Sequence, residues 1–329
     1  MKNEDFAKGT ERLMDPITVG SIHFLQQMYG MLPLPLQRNL LERASETTPY
    51  MGFVVEPYAF FLFYTVTDEE RASALLPAGF KLAKARVFEG DEPAYYAIMS
   101  FFRVHTSAFW GARAEFYLVA ENEATGLLSW VIVDYLSDTI SYDRAHGLRA
   151  PSAEHAVVTT TSEGCVLVDM AGDDGQGSAS FSAALRGARM RPLDERLWVE
   201  GNLSVGYGKT LSDDRADVFS LTFLPEEMSE ALDVPLENMR EARVAWHADL
   251  IAPAPSKLAC FPFAQHLLSD SPGSASSYAS EEELAEAARA VDFDALTSFS
   301  IGSMRTGFVV SSLVTLGVVA ALIVALVLK

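Results

Sequence analysis

The sequence predicts a mainly β protein of the α+β class that carries one apolar helix near its C-terminal end. Short runs rich in β-branched and aromatic residues recur from about residue 58 to residue 250, with turn-forming residues between them. This pattern is typical of an all-β domain. The chain has 329 residues, of which 49% are hydrophobic, enough to bury a substantial core. Residues 308–328 include no charged side chain, which marks a separate apolar element.

The predicted strands are the apolar and β-branched runs that lie between turn signals. They cover residues 60–66, 94–104, 115–120, 127–135, 156–161, 165–170, 178–185, 197–205, 218–223 and 240–251. Residues 67–77 and 225–232 are predicted to form two short helices. We therefore expect one β domain with peripheral helices.

Composition divides the chain into an N-terminal segment (1–52), a globular β domain (53–268), a linker with an acidic helix (269–305) and an apolar tail (306–329). In the first part Asp15 can cap a helix that begins at Pro16, and no Lys, Arg, Asp or Glu follows until Arg38. We expect this apolar helix to lie on a membrane interface or a partner, or else to pack against the chain's own β domain.

The third part begins as a flexible linker, because residues 269–280 read SDSPGSASSYAS and Ser/Gly-rich segments behave as flexible coils. Ser280 and Glu283 then form a capping box for a helix. Apolar side chains share one face of that helix, at Leu284, Ala287, Ala288 and Val291. We expect an acidic helix on the surface.

The apolar tail predicts a transmembrane helix. Residues 308–328 span about 32 Å at 1.5 Å per residue, enough to cross the hydrocarbon core of a bilayer. With Arg305 before it and Lys329 after it, the segment is typical of a tail anchor, and we expect the globular domain on the cytoplasmic side. Gly317 and Ala321 are four residues apart and suggest self-association through this helix.

The net charge and the two cysteines limit which partners and cofactors the chain is expected to have. A net charge of −19 and a pI near 4.7 argue against nucleic acid as a partner, since a phosphate backbone needs a basic surface. Cys165 and Cys260 form no metal-ligand spacing and no disulfide framework. We expect buried thiols in a reducing compartment and no cofactor.

The polar stretch between residues 137 and 155 follows a predicted strand and is dense in titratable groups. Loops on rigid strands often carry function, so its side chains are candidates for a pocket: Asp138, Arg144, His146, Arg149 and Ser152. A metal site or an acid–base pair built from His146 and His155 with Asp138, Asp143 and Glu154 is an alternative to a solvated loop. The wide spacing of these residues matches no standard metal motif.

Arg113 and Glu115 lie two residues apart in a predicted strand, so their side chains point to the same face. If that face is the interior, they form a paired charge in a pocket, and if it is the exterior, they form an ordinary surface pair. Both readings stay open from the sequence.

Four segments, taken in chain order, resemble the acetoacetate decarboxylase family. They are PYAFFLFYTVTDEERASALLPAGF, YYAIMSFFRV, RAEFYLVAENEATGLLSW and VDYLSDTISYDRAHGLRAPSAE, and the resemblance fades beyond about residue 155. It implies an antiparallel cone-like β-barrel whose pocket holds a Schiff-base lysine, with a second lysine beside it in a Pro-Lys-Lys segment.

This chain departs from the family's pattern at its reactive residues. The segment that matches Pro-Lys-Lys reads Pro151, Ser152 and Ala153. The family's arginine falls near Tyr58, and its first pocket glutamate falls on Ala97. The resemblance retains the second glutamate, at Glu115. The resemblance therefore implies the family's scaffold without its decarboxylase activity. Lys209 is the candidate for a replacement nucleophile, and the domain also contains Lys81, Lys84 and Lys257.

The sequence thus predicts a membrane-anchored, non-catalytic protein that acts as a ligand-binding or accessory subunit of a membrane complex. The alternative is an enzyme that uses the barrel pocket, with Glu115 as acid or base, on a small carboxylate or a lipid-derived apolar substrate. The expected partners are the membrane, membrane proteins or a second copy of the chain. Neither reading names the ligand.

Overall fold

The structure is a computed structural model of the chain. It describes residues 3–13, 31–37, 39, 51–106, 110–139, 141–143, 147–149, 151–172, 177–200, 204–206, 218–269, 281–295 and 301–327. The predicted apolar helix at residues 16–32 lies almost wholly outside the described residues.

Nineteen strands and four α-helices carry the described fold. The strands are β1 (Met51–Val55), β2 (Ala59–Thr65), β3 (Phe80–Leu82), β4 (Lys84–Ala85), β5 (Ala94–Thr106), β6 (Trp110–Asn122), β7 (Leu128–Ser137), β8 (Ser141–Asp143), β9 (Gly147–Arg149), β10 (Ala153–Thr160), β11 (Cys165–Gly172), β12 (Ser178–Ala184), β13 (Arg189–Pro192), β14 (Ser204–Gly206), β15 (Val218–Phe223), β16 (Glu230–Asp233), β17 (Met239–Val244), β18 (Lys257–Phe261) and β19 (Gln265–Ser269). The helices are α1 (Asn3–Arg12), α2 (Glu69–Ser73), α3 (Glu281–Ala290) and α4 (Ile301–Val327).

One large antiparallel sheet forms the body of the domain. Its strands run in the order β13-β16-β18-β2-β5-β1-β19-β15-β14, and β6 joins β5 to β7. The sheet bends back on itself, because β14 lies against β7. No hydrogen-bonded ladder joins these two strands in the described part of the chain, so the described strands form an open curved sheet in which barrel closure is not seen.

The bend gives the large sheet an inner face and an outer face. The inner face is packed with aromatic residues around Trp198, which belongs to a π-helical turn, Arg196–Glu200. The ring centroid of Trp198 lies 5.1 Å from that of Trp130 and 5.0 Å from that of Phe261. Trp198 Nε1 also donates a hydrogen bond to the Val87 carbonyl, at 2.8 Å, which fixes the turn inside the sheet.

A second antiparallel sheet, in the order β10-β11-β12-β17, covers part of the outer face. Alternating side chains explain the contact, since one face of β11 and β12 is apolar and buried. Phe181 of β12 packs against Phe60 and Phe101 of the large sheet, with ring centroids 5.6 and 5.2 Å apart. The other face of this second sheet is open to solvent.

Helices α1 and α3 cover another part of the outer face, on β1, β15 and β19. Phe6 and Ala288 are buried there together with Leu268. Two glycines permit the close approach: a Cβ on Gly9 would lie 2.2 Å from the Phe293 ring, and a Cβ on Gly52 would lie 2.6 Å from the Thr10 carbonyl oxygen. The N-terminal helix and the segment that precedes α4 therefore pack on the body as one unit.

The structure corrects the predicted elements at three places. The predicted strand 197–205 begins instead in a π-helical turn, Arg196–Glu200, in which Leu197, Trp198 and Val199 are all buried. Only Pro225–Met228 of the predicted helix 225–232 is helical, as a 3₁₀ turn, since the rest pairs as β16 with β13 and β18. The predicted strand 240–251 ends at Val244.

Helix α4 contains the one stretch of the described chain that is long and apolar enough to cross a membrane, Val309–Val327. Its apolar side chains are exposed along the whole stretch. This agrees with the apolar element predicted at residues 308–328.

Candidate functional site

A buried network of polar groups lies on the inner face of the large sheet, in the middle of β5, β6 and β7. Arg113 is 0% exposed and Glu115 is 7% exposed. The Nε of Arg113 donates to Glu115 Oε1, and the Tyr117 hydroxyl donates to Glu115 Oε2. Ser100 Oγ donates to the Tyr117 oxygen at 3.3 Å. The alternation of β6 places these three β6 side chains on one face, and the structure shows that this face is the interior.

Tyr117 is held in its protonated form. Burial raises the pKa of its hydroxyl well above the usual value of 10.0, and the adjacent Glu115 charge raises it further. A phenol that keeps its proton can donate a hydrogen bond to a carboxylate or to a ligand oxygen. The network therefore contains a proton donor that keeps its proton at physiological pH.

Tyr135 joins the network because β7 contains a β-bulge. Phe116 pairs with Asp134 and Tyr117 pairs with Ile132, so Val133 is an extra residue. Without the bulge, Asp134 would oppose Glu115 on the inner face and Tyr135 would point outward. The extra residue reverses this order, and the ring of Tyr135 lies 4.2 Å from the Arg113 guanidinium carbon. Bulges often re-aim side chains next to functional sites.

The bulge is held from the outer side by Asp134. Its Oδ2 accepts a hydrogen bond from Trp246 Nε1 at 3.0 Å and lies 3.2 Å from His247 Nε2. Burial alone raises the pKa of the Asp134 carboxyl, but the hydrogen bonds from His247 and Trp246 outweigh burial and lower it. His247 has a φ of 48°, an unusual conformation for a non-glycine residue. The charged form of Asp134 thus ties the bulge to the segment after β17.

Two of the other predicted pocket residues contribute to the backbone of this region. Asp138 Oδ1 accepts a hydrogen bond from the Ala112 N–H at 3.0 Å. Ser152 Oγ accepts from the Ser137 N–H at 3.1 Å, and the Ser152 N–H donates to the Ser137 carbonyl at 2.9 Å. Because Ser137 pairs with Arg113, Ser152 lies beside the network.

The remaining predicted residues are not brought together in the described structure. Arg144, His146 and Lys209 lie outside the described residues, and the side chain of Arg149 is also not described. His155 lies 3.4 Å from Asp169 on a half-exposed surface. Within the described ranges no three His, Cys, Asp or Glu side chains are grouped so that they could hold a metal ion.

The described lysines of the domain each have a partner away from the network. Lys81 Nζ lies 2.8 Å from Glu121 Oε1, and Lys257 Nζ lies 3.0 Å from Asp91 Oδ2. Lys84 Nζ lies 5.2 Å from the centre of the Tyr95 ring. The hydrogen bond from Lys81 to Glu121 raises the pKa of the Lys81 amine, so this lysine is protonated at neutral pH.

Sequence reasoning missed Tyr117, Tyr135, Ser100 and Trp198. Tyr117 has the same parity as Arg113 and Glu115, so a period-2 reading of β6 signals it. Ser100 is opposite Glu115 on β5, and finding it requires the register. Tyr135 has the wrong parity for the interior unless the bulge is known.

Comparison with solved structures finds a similarity to an acetoacetate decarboxylase. The crystal structure of acetoacetate decarboxylase from Legionella pneumophila subsp. pneumophila str. Philadelphia 1 is similar with a TM-score of 0.43 and 12% sequence identity. The match covers 70% of this chain and 89% of that chain. No protein-family model matches the chain, and no curated protein matches it.

Proposed function

We propose that this chain is a membrane-anchored, non-catalytic protein on an acetoacetate decarboxylase-like scaffold, serving as an accessory subunit of a membrane complex. The observation that carries the proposal is the exposed apolar stretch Val309–Val327 of α4. Its 19 residues span about 28 Å, close to the thickness of the hydrocarbon core. Burial in lipid removes this surface from water.

The packing of the segment before α4 supports a role for the body at the membrane. Arg289 pairs with Glu226 at 3.1 Å, and Arg12 pairs with Asp294 at 3.0 Å. Five residues, 296–300, separate the described body from Ile301, and they reach about 20 Å when fully extended. The body is therefore held close to the membrane surface, where it can contact membrane proteins.

The inner face supports a non-catalytic role. Trp198 and its aromatic neighbours fill part of it, and the charges of Arg113 and Glu115 neutralise each other. The resemblance to the family leaves Ser152 and Ala153 at the lysine positions, and neither side chain can form an imine.

Fractionation of the full chain tests the membrane anchor. We expect it to stay in the membrane pellet after washing with salt and with alkaline carbonate. The variant Leu316→Asp/Val319→Asp places two charges at the centre of the apolar stretch, where each costs about 3 kcal/mol, and we expect it to be released. Release of the unsubstituted chain contradicts the anchor. Purification in mild detergent without a stoichiometric membrane partner contradicts the accessory role.

The second candidate function is an enzyme or ligand carrier that uses the inner network on a small carboxylate or a lipid-derived substrate. The bulge favours it, because Tyr135 is re-aimed onto Arg113 beside Glu115 and the protonated Tyr117. In this function Glu115 accepts a proton and Tyr117 orients a ligand oxygen. Mass spectrometry of the purified protein distinguishes the two functions, since a metabolite that co-purifies with the folded chain supports the second.

A further inference from the structure

Three arginines without an acidic partner lie at one corner of the second sheet: Arg186, Arg240 and Arg243. They are exposed, and none of their guanidinium groups makes a hydrogen bond or ion pair with the described residues. Arg86 and Arg189 are also exposed and without an ion pair among the described residues. The arginines that do have an ion pair are Arg12, Arg71, Arg103, Arg113, Arg191, Arg196 and Arg289. In a chain with 44 acidic and 25 basic residues, three neighbouring arginines left without a carboxylate indicate an external partner.

A bulge in β17 places two of these arginines on the same face. Residues three apart in a regular strand point to opposite faces. Here Arg240 pairs with Ser182 and Arg243 pairs with Ser180, so β17 has one residue more than β12 between these pairs. Glu241 within the bulge has a φ of 54°, a conformation that a non-glycine residue adopts rarely. Both arginines therefore lie beside Ser180 and Ser182, on the solvent-exposed face of the sheet.

The third arginine is held at the same corner through its backbone. Asn238 Nδ2 donates to the carbonyl oxygens of Ala184, at 2.8 Å, and Arg186, at 2.7 Å. The turn after β12 is thereby fixed next to the start of β17. Leu236, in the 3₁₀ turn Leu236–Asn238, is 45% exposed at this corner. We name Arg186, Arg240, Arg243, Ser180 and Ser182 the arginine corner.

The chemistry of the corner suits a phosphate group. A guanidinium matches two phosphate oxygens with parallel hydrogen bonds, and serine hydroxyls can donate further ones. Glu237 and Glu241 are also exposed nearby, so directed Arg–phosphate bonds, more than net charge, would provide the attraction. Asp169 shares the exposed face but lies opposite Ser180, one strand further from Arg243, and it contacts His155.

We propose that the arginine corner docks on the phosphate headgroups of anionic phospholipids in the membrane that holds α4. The partner follows from the proposed membrane anchor, on which this inference rests. The second sheet packs on the outer face of the large sheet, as α1 and α3 do, and α3 leads to α4. An exposed face with guanidinium groups and an exposed leucine fits a lipid surface.

Arginine footprinting of the full chain in lipid nanodiscs tests the proposal. The chain is treated with phenylglyoxal, and the modification of each arginine is read by mass spectrometry. One set of nanodiscs contains phosphatidylcholine alone, and the other contains about one third phosphatidylserine. We expect the modification of Arg240 and Arg243 to fall at least threefold in the anionic nanodiscs, and to recover in high salt. Arg71 and Arg86, exposed elsewhere, should react equally in both.

Variants provide a second readout. Arg240→Gln/Arg243→Gln should abolish the lipid-dependent protection of Arg186, while Arg71→Gln/Arg86→Gln, with the same change of charge, should retain it. Equal modification of the corner in both nanodiscs overturns the inference while the anchor stands. Failure of the chain to enter nanodiscs overturns the membrane anchor. In that case the inference of a lipid partner is also overturned, unless added anionic vesicles protect the corner arginines from modification. Protection by an acidic peptide but not by anionic lipid overturns the inference in favour of a protein partner.

Discussion

Arg113 and Glu115 form an ion pair on the inner face of the large sheet, with both side chains removed from solvent. Burying two charges costs several kcal/mol of desolvation, which the ion pair offsets only when its geometry is good and the remaining groups are hydrogen-bonded. The Tyr117 hydroxyl donates a hydrogen bond to the second carboxylate oxygen of Glu115, and the Tyr135 ring lies against the Arg113 guanidinium. The ion pair therefore depends on the pairing register of β6 with β5 and β7, which brings these side chains together.

Glu115→Gln should destabilise the protein strongly, because it leaves the positive charge of Arg113 buried without its carboxylate. We expect a loss of about 3–5 kcal/mol in the free energy of unfolding, measured by urea denaturation of the full chain in detergent. Glu121→Gln is the matched control. Glu121 pairs with Lys81 and Arg196 at the surface, and its loss should cost less than about 1 kcal/mol. Equal effects of the two substitutions would contradict a buried, mutually dependent pair.

The sequence predicts part of this network. Period-2 alternation places Arg113 and Glu115 together, and the predicted strands near β5, β6 and β7 overlap the observed ones. The bulge at Val133 cannot be read from β7 alone, since it is defined by the pairing with β6. The apolar run of Leu197, Trp198 and Val199 predicts a strand, but a fully buried helical turn produces the same run. These features depend on tertiary contacts that a local pattern does not contain.

Gly9→Ala should loosen α1 from the body, although alanine favours a helix by about 1 kcal/mol over glycine. The added methyl group would overlap the Phe293 ring, whose Cγ lies 2.2 Å from the ideal Cβ position. We expect faster hydrogen exchange in residues 3–12. Phe293→Ala removes the obstacle, so the double variant Gly9→Ala/Phe293→Ala should show a favourable coupling energy of about 0.5–3 kcal/mol. Additive effects would show that the glycine is not required for packing.

His266 should make the packing of α1 depend on pH. Its Nδ1 lies 3.2 Å from Glu227 Oε1, and its Nε2 lies 3.4 Å from Glu11 Oε1 of α1. Burial alone lowers the pKa of the His266 imidazole, but hydrogen bonds to Glu227 and Glu11 and their charges outweigh burial and raise it above 6.5. A raised pKa means that the contribution to stability is complete below about pH 6.5 and is lost as the pH rises through the folded-state pKa.

His266→Gln should therefore flatten the dependence of stability on pH in the range above about 6.5. The free energy of unfolding is measured at several pH values for the full chain, with His155→Gln as the control, because His155 is a half-exposed histidine of β10 in the second sheet. The control should follow the original chain. The same slope in His266→Gln as in the original chain would show that His266 does not contribute the pH dependence.

The last prediction is that the chain does not form a Schiff base with a β-keto acid. That chemistry needs an amine that is unprotonated near neutral pH, which a buried lysine beside a second cation provides. At the segment that resembles the family's lysine pair, Ser152 is instead hydrogen-bonded to Ser137. Treatment with acetoacetate and borohydride should leave the mass of the intact chain unchanged, while an authentic acetoacetate decarboxylase treated in parallel should gain a stoichiometric adduct. An adduct on Lys209 or Lys257 would show that the nucleophile has moved within the domain, and it would favour the enzymatic function over the accessory one.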